Sequence, residues 1–160
     1  MVIVGIDPGL HITGYGVIES SGTRTRVLEA GVIKTNQNRD FELKLNEIHA
    51  EIGKIISQFK PDYIAVEELY SHYAHPKTAI IMGHARGVVF LQAAQSGIPV
   101  VSYASTRIKK SLTGNGRASK SQVQKMIKTI LKLKMDIASA DTADALAVAL
   151  CHHNALLGKQ

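Results

Sequence analysis

The chain has a single cysteine, Cys151, so no disulfide can close within it and nothing in its covalent framework calls for an oxidising compartment. It also lacks any apolar run long enough to cross a bilayer, which argues against a membrane partner. Its opening residues, MVIVGIDPG, show neither a basic leader nor a small-residue cleavage site, and the expected location is cytoplasmic. Internal repeats, low-complexity tracts and linker-like stretches are missing too. A single domain over residues 1–160 is therefore the expectation.

Acidic residues are outnumbered. Thirteen Asp and Glu face nineteen Lys and Arg, a net charge of +6, while an apolar content of 45% is ordinary for a protein with a real core. Such an excess fits a polyanionic partner as well as a merely basic surface. Its distribution is uneven, because Lys109, Lys110, Arg117, Lys120, Lys125, Lys128, Lys132 and Lys134 crowd into one stretch whose lone acid, Asp136, lies near its end.

Apolar periodicity outlines the elements. Residues 2–6, VIVGI, read as a buried strand stopped by Asp-Pro-Gly, and extended patterns restart over 14–18 and 26–34 with a turn at Ser21-Gly22. Short turns between the three suggest an antiparallel meander. Phe41, Leu45, Ile48, Ile52, Ile55 and Phe59 step by four, three, four, three and four, the spacing of an amphipathic helix over 41–59. Pro61 ends it, and a strand over 62–66 follows. A richly apolar helix over 77–96, a strand over 97–101 and helices near 105–112, 119–133 and 140–157 complete the chain. The order predicts an α/β protein, a mixed sheet flanked by helices.

Four acids stand where the core behind them would fix their direction. Asp7 and Glu67 each follow an apolar strand, and if those strands are neighbours their adjacent ends bring the two carboxylates together. Asp141 and Asp144, three apart at a helix start, share one face. Each also has an ordinary explanation. Asp7 suits a turn, Asp141 and Asp144 suit the positive end of a helix dipole, and Glu68 shows that a solvated acid can sit beside Glu67. If all four converged, their repulsion would call for a counter-charge, and oxygen donors without Cys or paired His favour Mg²⁺ or Mn²⁺. Two such ions about 4 Å apart can activate a water and stabilise a leaving oxygen at a phosphate. Asp7 would then bridge them.

Read in order, Gly5-Ile6-Asp7-Pro8-Gly9, Thr13-Gly14-Tyr15-Gly16, Ala65-Val66-Glu67, Lys120-Ser121-Gln122-Val123 and Asp141-Thr142-Ala143-Asp144-Ala145-Leu146-Ala147 resemble the successive motifs of the RuvC family of Holliday junction resolvases. The resemblance runs nearly end to end. It implies an RNase H-like fold with a five-stranded sheet, a homodimer matched to a two-fold four-way DNA junction, paired metal-dependent nicks that leave 5′-phosphates, and a branch-migration motor as partner. It implies Asp7, Glu67, Asp141 and Asp144 as metal-binding catalytic carboxylates. Some members carry His at the third of these positions. Lys109 and Lys120 match basic residues near the scissile phosphate, and Tyr70 matches an aromatic that engages unstacked bases.

These roles are chemically sensible. The two lysines would offset phosphate charge, and Lys110 and the loop Gly114-Asn115-Gly116-Arg117 would approach the DNA backbone. Tyr70 could stack on a base, with His72, Tyr73 and His75 near it in sequence, though an aromatic after a strand is often core. In the helix over 77–96, Gly83 and Gly87 permit close approach of a second backbone, which suggests a two-fold interface. Cys151-His152-His153 receives no metal role, since adjacent helical residues point in different directions. Competing readings are an actin-like or sugar-kinase-like ATPase, whose first phosphate loop resembles Ile6-Asp7-Pro8-Gly9, another RNase H-like nuclease, and a non-cutting junction binder. The ATPase would need a duplicated domain and a second phosphate loop, and a pure binder gains nothing from four acids beside phosphate.

Overall fold

The computed structural model describes residues 1–69, 76–133 and 136–158. Its strands are β1 (Val2–Asp7), β2 (Ile12–Ser21), β3 (Arg24–Lys34), β4 (Tyr63–Glu67) and β5 (Val100–Tyr103), and its helices are α1 (Phe41–Phe59), α2 (Pro76–Gln95), α3 (Ser105–Thr113), α4 (Lys120–Ile130) and α5 (Ala140–Leu157). The sheet runs in the order β3-β2-β1-β4-β5. The first three strands form the expected antiparallel meander, whereas β4 and β5 join β1 in parallel, which makes the sheet mixed.

Alternation along the strands sorts residues to two faces. Val4, Ile6, Ile64 and Val66 pack with Ile48, Ile52, Ala85 and Val89 of α1 and α2, while Ile3, Ala65 and Tyr103 pack with α3, α4 and α5. The helical step read from Phe41 to Phe59 buries Ile48, Ile52, Ile55 and Ile56, and truncating one of these to Ala removes about 2–5 kcal/mol. Helix α5 is buried nearly all round, from Thr142 to His153 apart from Asp144, because it lies across the centre of the sheet under α3 and α4.

Several boundaries differ from the sequence reading for local backbone reasons. Helix α4 stops at Ile130 rather than near 133: Lys132 turns left-handed at φ 51, its N–H bonds Thr129 O at 3.3 Å, and the Leu133 N–H bonds Lys128 O at 3.0 Å. That is a Schellman close made without glycine. Gly97, at φ 69, does the same for α2, so residues 97–99 cap a helix and β5 begins only at Val100. Asp62 stays outside β4 because its carboxylate accepts the Val2 N–H at 2.7 Å.

Candidate active site

Strand register brings the first two acids together. Ile6 pairs with Val66 in parallel, so Asp7 and Glu67 are the next residues on adjacent strands. By alternation both share the face of Gly5 and Ala65, the face covered by α5. Asp141 and Asp144 lie in the first two turns of that helix, whose N-cap Ser139 accepts the Thr142 N–H at 3.1 Å.

Three glycines set how close α5 comes. Gly5 faces Gly16 and Asp7 faces Gly14 across the β1–β2 ladder. A Cβ on Gly5 would lie 2.0 Å from Ala145 O, one on Gly14 would lie 2.1 Å from Asp141 O, and one on Gly16 would lie 2.6 Å from Leu146 Cδ2. Helix backbone thus rests directly on strand backbone, with the turn that carries Asp141 lying over Gly14, the partner of Asp7. The loop after Asp7 is braced as well: buried Thr13 donates to Gly9 O at 2.7 Å while its hydroxyl accepts the Gly9 N–H at 3.2 Å, and Thr35 donates to Leu10 O at 2.7 Å. The sequence reading missed these braces. The glycine spacing, two apart on β2 and opposite β1, was the signal that could have shown the helix contact.

The electrostatics register the crowding. Burial pushes the Asp7 carboxyl up from its ordinary 3.8 to about 7, with Asp144, Glu67 and Asp141 adding repulsion in that order and Lys120 working against them. Burial also raises the pKa of Glu67, opposed first by a hydrogen bond from the Ser105 side chain; Asp144 raises it further, and Lys120 and Lys109 lower it. Ser105, the first residue of α3, was not anticipated as a site residue.

Glu67, Ser105, Lys109, Lys120 and Asp144 line a pocket of about 130 Å³ floored by Ile108, Val123 and Ala147. The Lys120 ammonium lies 3.4 Å from an Asp144 carboxylate oxygen. Its helix starts with a capping box, in which Ser119 accepts from Gln122 N and the Gln122 side chain accepts from Ser119 N. Lys110 and Arg117 are exposed and do not line this pocket. Tyr70, His72, Tyr73, His75 and Lys134 lie outside the described residues. A larger cavity of about 720 Å³ opens on the other face of the sheet between β3 and α1, but its charges include the pairs Arg39–Glu47 at 2.7 Å and Lys54–Glu51 at 2.5 Å, and no member of the acidic cluster reaches it.

Among the described residues no three His, Cys, Asp or Glu side chains already share a metal-coordination point. The donor chemistry nevertheless fits a hard divalent cation: every donor is a carboxylate oxygen, and burial, with repulsion from the other acids added to it, disfavours the Asp7 carboxylate without a counter-charge. Among the described residues Cys151 and its neighbours form no metal site. Cys151 is buried, His153 Nδ1 pairs with Ser20 Oγ at 2.8 Å, and His152 Nδ1 pairs with Tyr103 Oη at 2.7 Å.

The mixed sheet, its strand order and the acids at the C-terminal ends of two parallel strands define an RNase H-like α/β protein. The family model described as Crossover junction endodeoxyribonuclease RuvC matches residues 3–152. A crossover junction endodeoxyribonuclease RuvC of Rhodopirellula baltica is 50% identical over 151 residues, covering 94% of this chain and 85% of the relative. One from Ruminiclostridium cellulolyticum is 46% identical over 163 residues, covering 99% and 98%. Among solved structures, T. thermophilus RuvC in complex with a Holliday junction substrate superposes with a TM-score of 0.94 at 34% identity, covering 99% of this chain and 96% of that one. The chain belongs to the RuvC family of crossover junction endodeoxyribonucleases. These matches favour neither the ATPase nor another RNase H-like nuclease.

Proposed function

We propose that this protein resolves Holliday junctions by paired, symmetric nicks, with Asp7, Glu67, Asp141 and Asp144 holding two divalent cations, Mg²⁺ in the cell with Mn²⁺ able to replace it. The observation that carries this reading is geometric: Asp7 and Glu67 end adjacent parallel strands, the α5 turn that carries Asp141 rests on Gly14 opposite Asp7, and Glu67 and Asp144 share a pocket with Lys109 and Lys120. The bound cations would supply Lewis-acid stabilisation and an activated water, giving a 5′-phosphate product.

The protein's own groups have separate tasks. Braced by Thr13, the Asp7 loop presents one carboxylate from the sheet, and α5 presents two from above. Ser105 orients Glu67. The Lys109 and Lys120 ammoniums approach the scissile phosphate and offset its growing charge, while exposed Lys110 and Arg117 hold the flanking backbone. Tyr70 stacks on an unpaired base near the crossover. Residues 1–160 act as one nuclease domain.

A homodimer places two such sites on opposed strands. Its support lies on α2, where Ile80 is 62% and Leu91 53% exposed along a groove lined by Leu45, Gly83, Gly87 and Val88. A Cβ added to Gly87 would meet nothing within 4 Å, which leaves room for a second backbone. No described helix is long and apolar enough to cross a membrane. The protein works in the cytoplasm, alongside a branch-migration motor.

The test is a synthetic four-way junction incubated with Mg²⁺, beside an RNA:DNA hybrid of equal length and an Asp7→Asn control. Symmetric nicks in the junction by the parent, none by the variant, and junction binding by both are expected. Preferential cutting of the hybrid would reassign the substrate.

A further inference from the structure

Glu67 is held from both faces of the sheet. Its carboxylate meets Ser105 on the α5 side, and its backbone is reached from the α2 side by Arg86. The Arg86 Nε donates to the Glu67 carbonyl oxygen at 3.3 Å, and Nη2 donates to Ser102 Oγ at 2.8 Å. The guanidinium also lies 4.2 Å from the centre of the Phe90 ring. Val66 is the register partner of Ser102, so one planar group spans the C-terminal ends of β4 and β5 at the point where Glu67 leaves the sheet.

We propose that Arg86 is a positioning residue for the acidic site, its guanidinium fork clamping the end of β4 to β5 so that the Glu67 carboxylate is delivered in one place. The inference rests on the nuclease reading for the purpose of Glu67. The fork's hydrogen-bond acceptors are both neutral, a main-chain carbonyl and a hydroxyl; the side chain is half-buried, and burial lowers its pKa against the opposing charge of exposed Glu68. Filling that space with an apolar side chain would ordinarily be at least as stabilising as sequestering a guanidinium with neutral partners. What an apolar side chain cannot do is fix two strand ends in a plane. The β4–β5 ladder ends at the pair Glu67–Tyr103, just beyond which the Glu68 N–H bonds Tyr103 O at 2.9 Å, and the next acid, Glu68, is exposed. The clamp therefore acts where the ladder is ending.

The experiment compares Arg86→Met, Arg86→Lys and Ser102→Ala with the parent. Three readings are taken: single-turnover junction cleavage in Mg²⁺, junction affinity in Ca²⁺, and Mn²⁺ affinity of the DNA-free protein by electron paramagnetic resonance. Loss of an outer-shell partner typically lowers metal affinity or activity by about 10–100-fold. Arg86→Met should fall in that range for cleavage and lose Mn²⁺ affinity, with junction affinity changed by less than about threefold. Arg86→Lys, which keeps the charge without the fork, and Ser102→Ala, which frees one tine, should fall between Arg86→Met and the parent. Parental cleavage and parental Mn²⁺ affinity in a folded Arg86→Met protein would overturn the proposal. Should that variant unfold, Ser102→Ala decides, and parental values there overturn it. A parent that leaves junctions intact would sink the nuclease reading instead, and the Mn²⁺ comparison would still judge Arg86.

Discussion

Asp7 and Gly14 face each other across the β1–β2 ladder, and the Asp141 carbonyl lies where a side chain on Gly14 would begin. The contact ties the spacing of two acids to the absence of one methyl group. Gly14→Ala should therefore lift the start of α5, with a stability loss of roughly 1–3 kcal/mol from overpacking. Because the displaced turn carries Asp141, junction cleavage should fall by more than the loss of folded protein. Denaturant titration beside a cleavage assay at a temperature where the variant is folded checks this.

Asp7 should make the metal-free protein less stable as pH rises. A carboxyl raised from 3.8 to about 7 binds a proton in the folded state that the unfolded chain has already released. The penalty is absent below about pH 4, grows between pH 4 and 7, and is complete above 7, on the order of 1–4 kcal/mol. Asp7→Asn should raise the melting temperature at pH 8 in EDTA and leave it unchanged at pH 4. For the parent, Mg²⁺ should bind more tightly as pH rises through 7, with release of a proton. Equal melting temperatures of parent and variant at pH 8 would remove the repulsion from the account.

Lys120 is 3.4 Å from Asp144 with its side chain 74% exposed, so the pair adds about 1 kcal/mol at most to stability. Lys120→Met should leave the melting temperature nearly unchanged and slow junction cleavage by roughly 100-fold, the scale of one lost transition-state donor. Metal affinity without DNA should rise slightly, since the ammonium no longer competes for Asp144. Calorimetric Mn²⁺ titration separates that gain from the catalytic loss.

His153 should make the fold acid-sensitive. Burial lowers its pKa, so the folded state binds fewer protons than the unfolded one once pH drops below about 6.5. Its contribution is intact above that value and is lost progressively beneath it. His153→Gln, which can still meet Ser20 Oγ, should flatten melting temperature against pH between 5 and 6.5. An unchanged slope would assign acid sensitivity elsewhere.

Much of this protein is local enough to read along the chain. The step from Phe41 to Phe59 is a helix because burial on one face needs that period, and Ile3 to Ile6 is a strand because both of its faces are covered. The strand ends that carry Asp7 and Glu67 were visible for the same reason, as was the basic stretch around Lys109 and Lys120. The close of α4 at Lys132 was not, because a left-handed lysine leaves no mark in composition.

Only the tertiary structure decided which acids share a field and what holds them. Asp7 meets the acids of α5 because that helix lies on three glycines from two strands, and Ser105 and Arg86 reach Glu67 from opposite faces. These contacts join residues far apart in sequence through distances of a few ångströms. Periodicity reports which face a residue occupies; the packing of backbone on backbone sets what stands opposite it.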